Sequence, residues 1–412
     1  MKKDSMMILG AGLCQVPIIR KAQSMGFKVI AVSIGGDYPG LSTADTSYEI
    51  DVRDQDKILA IARDEKICGI LTDQTDIPVT TVAYVAEQLG LPGIGHECAC
   101  RFTNKYLMRK HCAEIGIPVP RFFSASSLAD AREKASHLGL PIMVKPVDSQ
   151  GSRGVTVVKD LSDLDDVFFQ AQSLTPTRTV ILEEYFQGIE VVVQGFVSDY
   201  RMTNLIIGDR LYFDIPNLFV PKQTLFPSLL PVHLQTKILD INTRLIEGMA
   251  PKFGITHSEY LVDIKTGDVC LVETAIRGGG VFISSDLVPL ASGIDVNDMI
   301  IRLAAGWDKA AIDPSKIVRK ASGYVCFMLP EGVIRRVEGA DRLMSLKGVH
   351  RAHVENLFVG KRTGKLTDKT MRMGPILISG ANRNELDITI SEIKKTLEID
   401  VETADGQGTI VW

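Results

Sequence analysis

Between residues 105 and 277 the chain carries lysines, a glycine loop, carboxylates and an arginine in an order that suits a polyphosphate. Lys105 comes first. The apolar run Ile142-Met143-Val144 delivers Lys145 and Pro146, and the loop Asp148-Ser149-Gln150-Gly151-Ser152-Arg153-Gly154-Val155 follows. Glu183, Glu184, Tyr185 and Glu190 come next, then Glu259, Glu273 and Arg277, which leads into Gly278-Gly279-Gly280. A lysine at the end of a buried strand is poorly solvated unless an anion meets it. Gly151 and Gly154 let backbone N–H groups approach a phosphate, while Ser149, Ser152 and Arg153 add side-chain donors. Glu259 and Glu273 would repel each other in a purely packing role, and Mg²⁺ takes carboxylate oxygens together with those of a nucleotide. Arg277 is a fork for a developing anion. Taken singly, the loop is a surface hairpin and the adjacent Glu183-Glu184 a solvated edge. Their joint order argues for a site.

The elements that must hold these residues are read from periodicity and turn chemistry. Met6–Leu9, Lys28–Val32 and Gly69–Leu71 read as strands. Helical stretches at Val16–Met25 and Ile58–Arg63 separate them and one at Thr80–Leu89 follows, a βαβαβα pattern that predicts a parallel sheet with right-handed crossovers. Thr103 or Asn104 is the N-cap of a helix ending at Gly116. Strands are expected at Ile142–Pro146, Val180–Leu182 and Ile189–Val197, with a helix at Ser162–Ala171 between them. A helix over Leu234–Phe253 is expected to stop before Gly254. Glu259–Ile264 and Val269–Thr274, joined by Lys265-Thr266-Gly267-Asp268, read as a hairpin that lets Glu259 and Glu273 converge. Ile294–Ala305 is helical. Beyond Pro314, strand signals at Gly323–Met328, Val333–Val337 and Ile376–Gly380, with a closing helix at Asn384–Leu397, suggest a small α+β unit.

This order and spacing resembles the ATP-grasp superfamily of carboxylate–amine ligases, and the likeness covers most of the chain. Its layout looks closest to the L-amino acid ligase and phosphoribosylglycinamide synthetase branch, with biotin carboxylase sharing the architecture. The resemblance implies an α/β and α+β fold in three parts. These are a Rossmann-like N-terminal domain over 1–100, an ATP-grasp domain over 101–308 with a lid at about 122–188, and a C-terminal α+β domain over 309–412. It implies ATP and Mg²⁺ (or Mn²⁺) as cofactors. Lys105, Lys145, Ser149, Gly151, Ser152, Arg153 and Gly154 would hold phosphates. Glu183 would accept from the adenine amino group, Glu184 and Tyr185 would edge the ring, and Glu190 would bind the ribose. Glu259 and Glu273 would ligate metal, with Arg277 and Lys145 catalytic. The expected reaction activates a carboxylate as an acyl phosphate and joins it to an amine. Carboxylation with bicarbonate and non-catalytic ATP binding are the alternatives. One departure stands out: the family's Glu-x-Asn-x-Arg reads Glu273-Thr274-Ala275-Ile276-Arg277 here, and Ala275 cannot ligate a metal.

Other signals are weaker. Gly10-Ala11-Gly12-Leu13-Cys14-Gln15 begins like a dinucleotide fingerprint, with Asp37 placed for a ribose, but Gln15 replaces the third glycine. Such degenerate domains open ATP-grasp ligases, holding part of the acceptor substrate rather than NAD. His96, Cys98 and Cys100 lack a second pair at zinc-site spacing. His233 and His257 stand without a nucleophile signature. At 412 residues and net charge −4, with no basic tract, the chain gives no electrostatic footprint for nucleic acid. No apolar run reaches the ~18 residues of a membrane span, and the start lacks a signal-peptide pattern. Seven irregularly spaced cysteines fit a reducing cytoplasm. The expected partners are small-molecule carboxylate and amine substrates, with a homodimer compatible.

Overall fold

The computed structural model describes residues 3–215, 219–307, 311–365 and 371–412. The first unit is a parallel sheet in the order Thr46–Glu49, Lys28–Ser33, Ser5–Leu9, Ile67–Leu71. Every residue of Ser5–Leu9 is buried, as an interior strand covered on both faces requires. Helices Val16–Ser24 and Gln55–Asp64 lie between the strands in sequence and Val79–Leu89 follows the last of them, as the apolar periodicity predicts. Thr46–Glu49 escapes that prediction because its four residues are half-exposed or exposed and polar in character. Gln15 fills the space where a fingerprint glycine would admit a pyrophosphate. Its side chain is buried and donates to the Asp73 carbonyl at 2.7 Å.

Asn104 caps the next helix, Lys105–Glu114, by accepting from the Leu107 N–H at 3.1 Å. A second sheet follows, antiparallel, in the order Phe122–Ala125, Val180–Glu184, Ile142–Pro146, Thr156–Val158. Helices Leu128–Leu138 and Leu164–Ser173 pack on it around a separate core that includes Ile142, Val144, Phe168, Val180 and Leu182. This segment, the lid expected at about 122–188, thus has a core of its own.

The largest sheet has eight antiparallel strands. Its order is Val269–Ala275, Phe253–Val262, Ile189–Ser198, Arg201–Tyr212, Pro221–Phe226, Ala321–Phe327, Met373–Gly380, Val349–Ala352. The division expected at 308 falls on residues outside the described ones, but strands from either side of it pair directly, with Gln223 opposite Val325. A four-stranded sheet, Arg362–Thr363, Gly332–Glu338, Glu398–Thr403 and Gly406–Thr409, shares a core with helix Arg383–Thr396. The long helix runs Val232–Met249 and stops earlier than expected. Ala250 takes the left-handed conformation and Pro251 has no N–H to continue, so Phe253 opens the next strand.

Candidate active site

A cavity of about 570 Å³ lies between the lid sheet and the large sheet. That is within the range of small-molecule sites. Met143, Lys145, Glu183, Tyr185 and Phe186 line it from the lid side; Arg210, Tyr212, Glu259, Leu271 and Glu273 line it from the large sheet. Lys105, Ser149, Ser152, Glu184 and Glu190 also reach it.

Lys145 and Glu183 occupy adjacent lid strands, with Glu183 paired opposite Met143. Lys145 Nζ is 2.5 Å from one Glu183 oxygen, and Arg109 Nε is 2.6 Å from the other. Arg109 is 1% exposed and Glu183 2%. Burial alone would raise the Glu183 carboxyl, but Arg109 and Lys145 outweigh it and hold it at about 2. Both carboxylate oxygens are therefore already engaged, which sets Glu183 up to position Lys145 as much as to meet a purine. Arg109 also donates to the Val272 carbonyl at 2.6 Å, tying the helix, the lid and the hairpin together. Arg109 was not among the residues whose types and spacing marked them in the sequence. The available signal was its place four residues after Lys105, on the same helix face.

Lys105 is buried at the start of its helix. Its Nζ donates to the Ser149 carbonyl at 2.6 Å and lies 3.0 Å from Glu273 Oε1. Glu273 and Glu259 are direct cross-strand partners, brought opposite each other by a one-residue register shift next to Tyr260 in the expected hairpin. Glu259 has other company. Arg210 bridges it to Glu190, with the Glu190 contact at 2.9 Å, and His257 Nε2 is 3.0 Å from Glu259 Oε1. Tyr212 donates its hydroxyl to Glu190. Burial pushes Glu190 up to about 7, with Arg210 opposing and Glu259 adding to the rise. Glu259 moves the other way despite its burial, because Arg210 and His257 favour its charged form. His257, buried against Gln194, is held below the usual imidazole range by desolvation. Arg210 faces Glu190 in strand register, a relation that needs the pairing of two strands to be known.

In the glycine loop, Gly151, Ser152 and Gly154 all take positive φ, at 78°, 60° and 69°. Ser149 Oγ donates to the Arg153 carbonyl at 3.0 Å and closes the turn. Ser149 and Ser152 line the cavity, whereas Gly151, Arg153 and Gly154 shape the loop from outside that lining. Arg277 is also absent from the lining. Its guanidinium donates to Asp76 of the first unit at 2.6 Å and to the Gly278 carbonyl at 3.0 Å. Burial opposes its charge, while Asp76, Glu273 and Glu259 sustain it. Asp73, fully buried beside this pair, accepts from the Gly278 N–H and from Ser284 Oγ.

Among the described residues, six acidic side chains line the cavity (Glu183, Glu184, Glu190, Asp214, Glu259, Glu273) against four basic ones (Lys105, Arg109, Lys145, Arg210). A polyphosphate enters such a lining only with cations. The facing carboxylates of Glu259 and Glu273, beside Lys105, are a donor set that suits a hard divalent ion arriving with phosphate oxygens. Ala275 is buried on the same strand and adds no ligand. Among the described residues no group of three or more His, Cys, Asp or Glu forms a metal cluster, so His96, Cys98 and Cys100 do not make one. The Cys98 thiol instead meets the Met249 carbonyl. All seven cysteines are free. No helix among the described residues is long and apolar enough to cross a membrane.

Residues 104–311 match the family described as carbamoyl-phosphate synthase L chain, ATP binding domain, and residues 325–402 match L-amino acid ligase C-terminal domain 2. The formate-dependent phosphoribosylglycinamide formyltransferase of Methanocaldococcus jannaschii is 30% identical over 204 residues, covering 48% of this chain and 49% of that protein. The alanine–anticapsin ligase of Bacillus subtilis is 24% identical, covering 63% of this chain and 59% of the ligase. The match thus spans about half the length of such curated relatives. Two solved structures share the fold almost end to end. The L-amino acid ligase from Bacillus licheniformis superposes with a TM-score of 0.83 at 20% identity, over 98% of this chain and 100% of its own. Phosphoribosylglycinamide synthetase from Anaerococcus prevotii gives 0.77 at 18%, over 97% and 99%. With half of the chain, residues 104–311, inside the first family's match, the protein belongs to the carbamoyl-phosphate synthase L chain ATP-binding family of the ATP-grasp superfamily.

Proposed function

We propose that this protein is an ADP-forming ligase that activates a substrate carboxylate with ATP and joins it to an amine. The observation that carries the reading is the convergence on one cavity of Lys105, Lys145, the Ser149–Ser152 turn and the facing Glu259–Glu273 pair. The match of residues 325–402 to an L-amino acid ligase domain supports amino acids as one or both substrates.

Lys145, freed in part from Glu183, and Lys105 would bind phosphates, with backbone N–H groups of the glycine loop approaching from the lid. Glu259 and Glu273 would hold Mg²⁺ (or Mn²⁺), which supplies charge compensation for the transferring phosphoryl group. A carboxylate oxygen of the acid attacks the γ-phosphorus, and the bond to the ADP oxygen breaks. The amine then attacks the acyl carbon and loses a proton. A C–N bond forms as the C–O bond to phosphate breaks. Arg277, which stays paired with Asp76 and senses the charges of Glu273 and Glu259, would offset the developing negative charge from outside the cavity lining. Closure of the lid keeps water from the acyl phosphate. The test is a phosphate-release screen over amino acids, with and without a second carboxylic acid. Release that needs both an acid and an amine supports the reading; release indifferent to both refutes it.

A further inference from the structure

The glycine loop and Arg277 serve opposite ends of the proposed chemistry, yet both are fastened to one short loop of the first unit. Residues 72–76 follow the strand Ile67–Leu71. Thr72 Oγ1 donates to the Leu9 carbonyl at 2.8 Å, which anchors the loop on the parallel sheet. Gln74 sits at φ 59°, a left-handed conformation that a non-glycine residue keeps only when its surroundings hold it. What holds it is on both sides. Its Nε2 donates to the Cys14 carbonyl at 2.9 Å, and its Oε1 accepts from the Phe282 N–H at 2.8 Å. Asp73 accepts from Gly278 and Ser284, and Asp76 accepts from Arg277. The loop is thus a docking plate for the segment 277–284.

Its opposite side takes the lid. Gln150 Oε1 accepts from the Asp76 N–H at 3.1 Å, with the Thr75 hydroxyl at 3.5 Å. The neighbouring Ser149 carbonyl is the one that Lys105 holds. Asp76 therefore receives the lid through its backbone and Arg277 through its carboxylate. We infer that Gln150 is a positioning residue: it latches the closed glycine loop to Asp76, so that lid closure and the Arg277–Asp76 pair are set together. This deepens the ligase reading and rests on it. The latch would keep the lid shut over the acyl phosphate until the amine has reacted, limiting loss to water.

Gln150→Met keeps the length and removes the acceptor; Gln150→Ala serves as a second variant should the first fold poorly. Gln150→Glu keeps an oxygen that can accept from the Asp76 N–H. Two readouts are needed. One is the ratio of phosphate released to amide formed. The other is the rate of trypsin cleavage at Arg153 with a non-hydrolysable ATP analogue and Mg²⁺. In Gln150→Met both should rise by about two- to tenfold, the worth of one neutral hydrogen bond. Nucleotide affinity should stay close to that of the unaltered protein, and Gln150→Glu should recover most of the loss. Unchanged ratio and unchanged cleavage in a folded Gln150→Met would overturn the latch. Should the unaltered protein form no amide with any pair of substrates, the ligase reading falls, and the cleavage comparison alone decides the latch.

Discussion

Lys145 is legible in the sequence as a cation at the end of an apolar strand, but its partner is not. Glu183 lies 38 residues away and Arg109 reaches Glu183 across 74, so only the folded lid shows that the three charges form one buried group. The same holds for Arg210, whose bridge to Glu259 spans 49 residues. Lys145→Ala should therefore weaken ATP binding by about tenfold to over a hundredfold, the worth of a charge-assisted contact of roughly 1.5–3 kcal/mol. Calorimetry on the folded variant checks it, and equal affinity would remove Lys145 from the nucleotide site. Glu183 supplies a pH test. Its carboxyl falls from an ordinary 4.5 to about 2 in the folded protein, so its contribution is complete above pH 4.5 and is lost as pH drops toward 2. The stability gap between the protein and Glu183→Gln should be flat above 4.5 and narrow below it. A gap that widens on acidification would mean that Glu183 is not held as a buried carboxylate.

At the scale of elements, the hairpin was the most readable feature. Its Lys265-Thr266-Gly267-Asp268 turn fixes the register as far as Tyr260 opposite Leu271, and a one-residue shift beyond it, which no local pattern records, puts Glu259 opposite Glu273. The early end of the preceding helix was harder to read, because Ala250 does not advertise a left-handed cap and the apolar pattern continues to Phe253. Ala275 leaves Glu273 as the single carboxylate of its segment, and Glu259 is already pinned by Arg210 and His257. Glu273→Gln should abolish turnover, while Glu259→Gln should raise the metal requirement and leave some activity. Ala275→Asn should lower the Mg²⁺ concentration at half-maximal rate. Titration with Mn²⁺, read by its paramagnetism, checks the same ranking without turnover; equal losses at both glutamates would reject it. For the glycine loop, a Cβ at Gly154 would come within 2.7 Å of Leu174 Cδ1 and 3.1 Å of Pro146 Cγ, at a φ of 69°. Gly154→Val should thus force the loop out of this conformation and impair catalysis, at some cost in stability. In the unaltered protein, ATP with Mg²⁺ should protect Arg153 from trypsin. Equal cleavage with and without nucleotide would show that the loop does not close on phosphate.

Across the whole molecule, the alternation of strands and helices in the first hundred residues was enough to predict the parallel sheet, since three of its strands are short apolar runs; the polar edge strand Thr46–Glu49 was not legible. The C-terminal part was only half legible. Its strands Glu398–Thr403 and Gly406–Thr409 are rich in polar residues, and the joining of Ala321–Phe327 to Pro221–Phe226 is a long-range pairing that no local pattern records. That shared sheet makes the C-terminal strands a continuation of the sheet that carries Glu259 and Glu273. The central claim is that a substrate carboxylate is activated by phosphoryl transfer within this assembly. It is tested most directly by supplying an acid labelled with heavy oxygen in its carboxylate, together with ATP, Mg²⁺ and an amine, and weighing the products. An acyl phosphate pathway places one labelled oxygen in the released phosphate and leaves the other in the amide, with ADP as the nucleotide product. Phosphate free of label, or formation of AMP and pyrophosphate, would contradict the account.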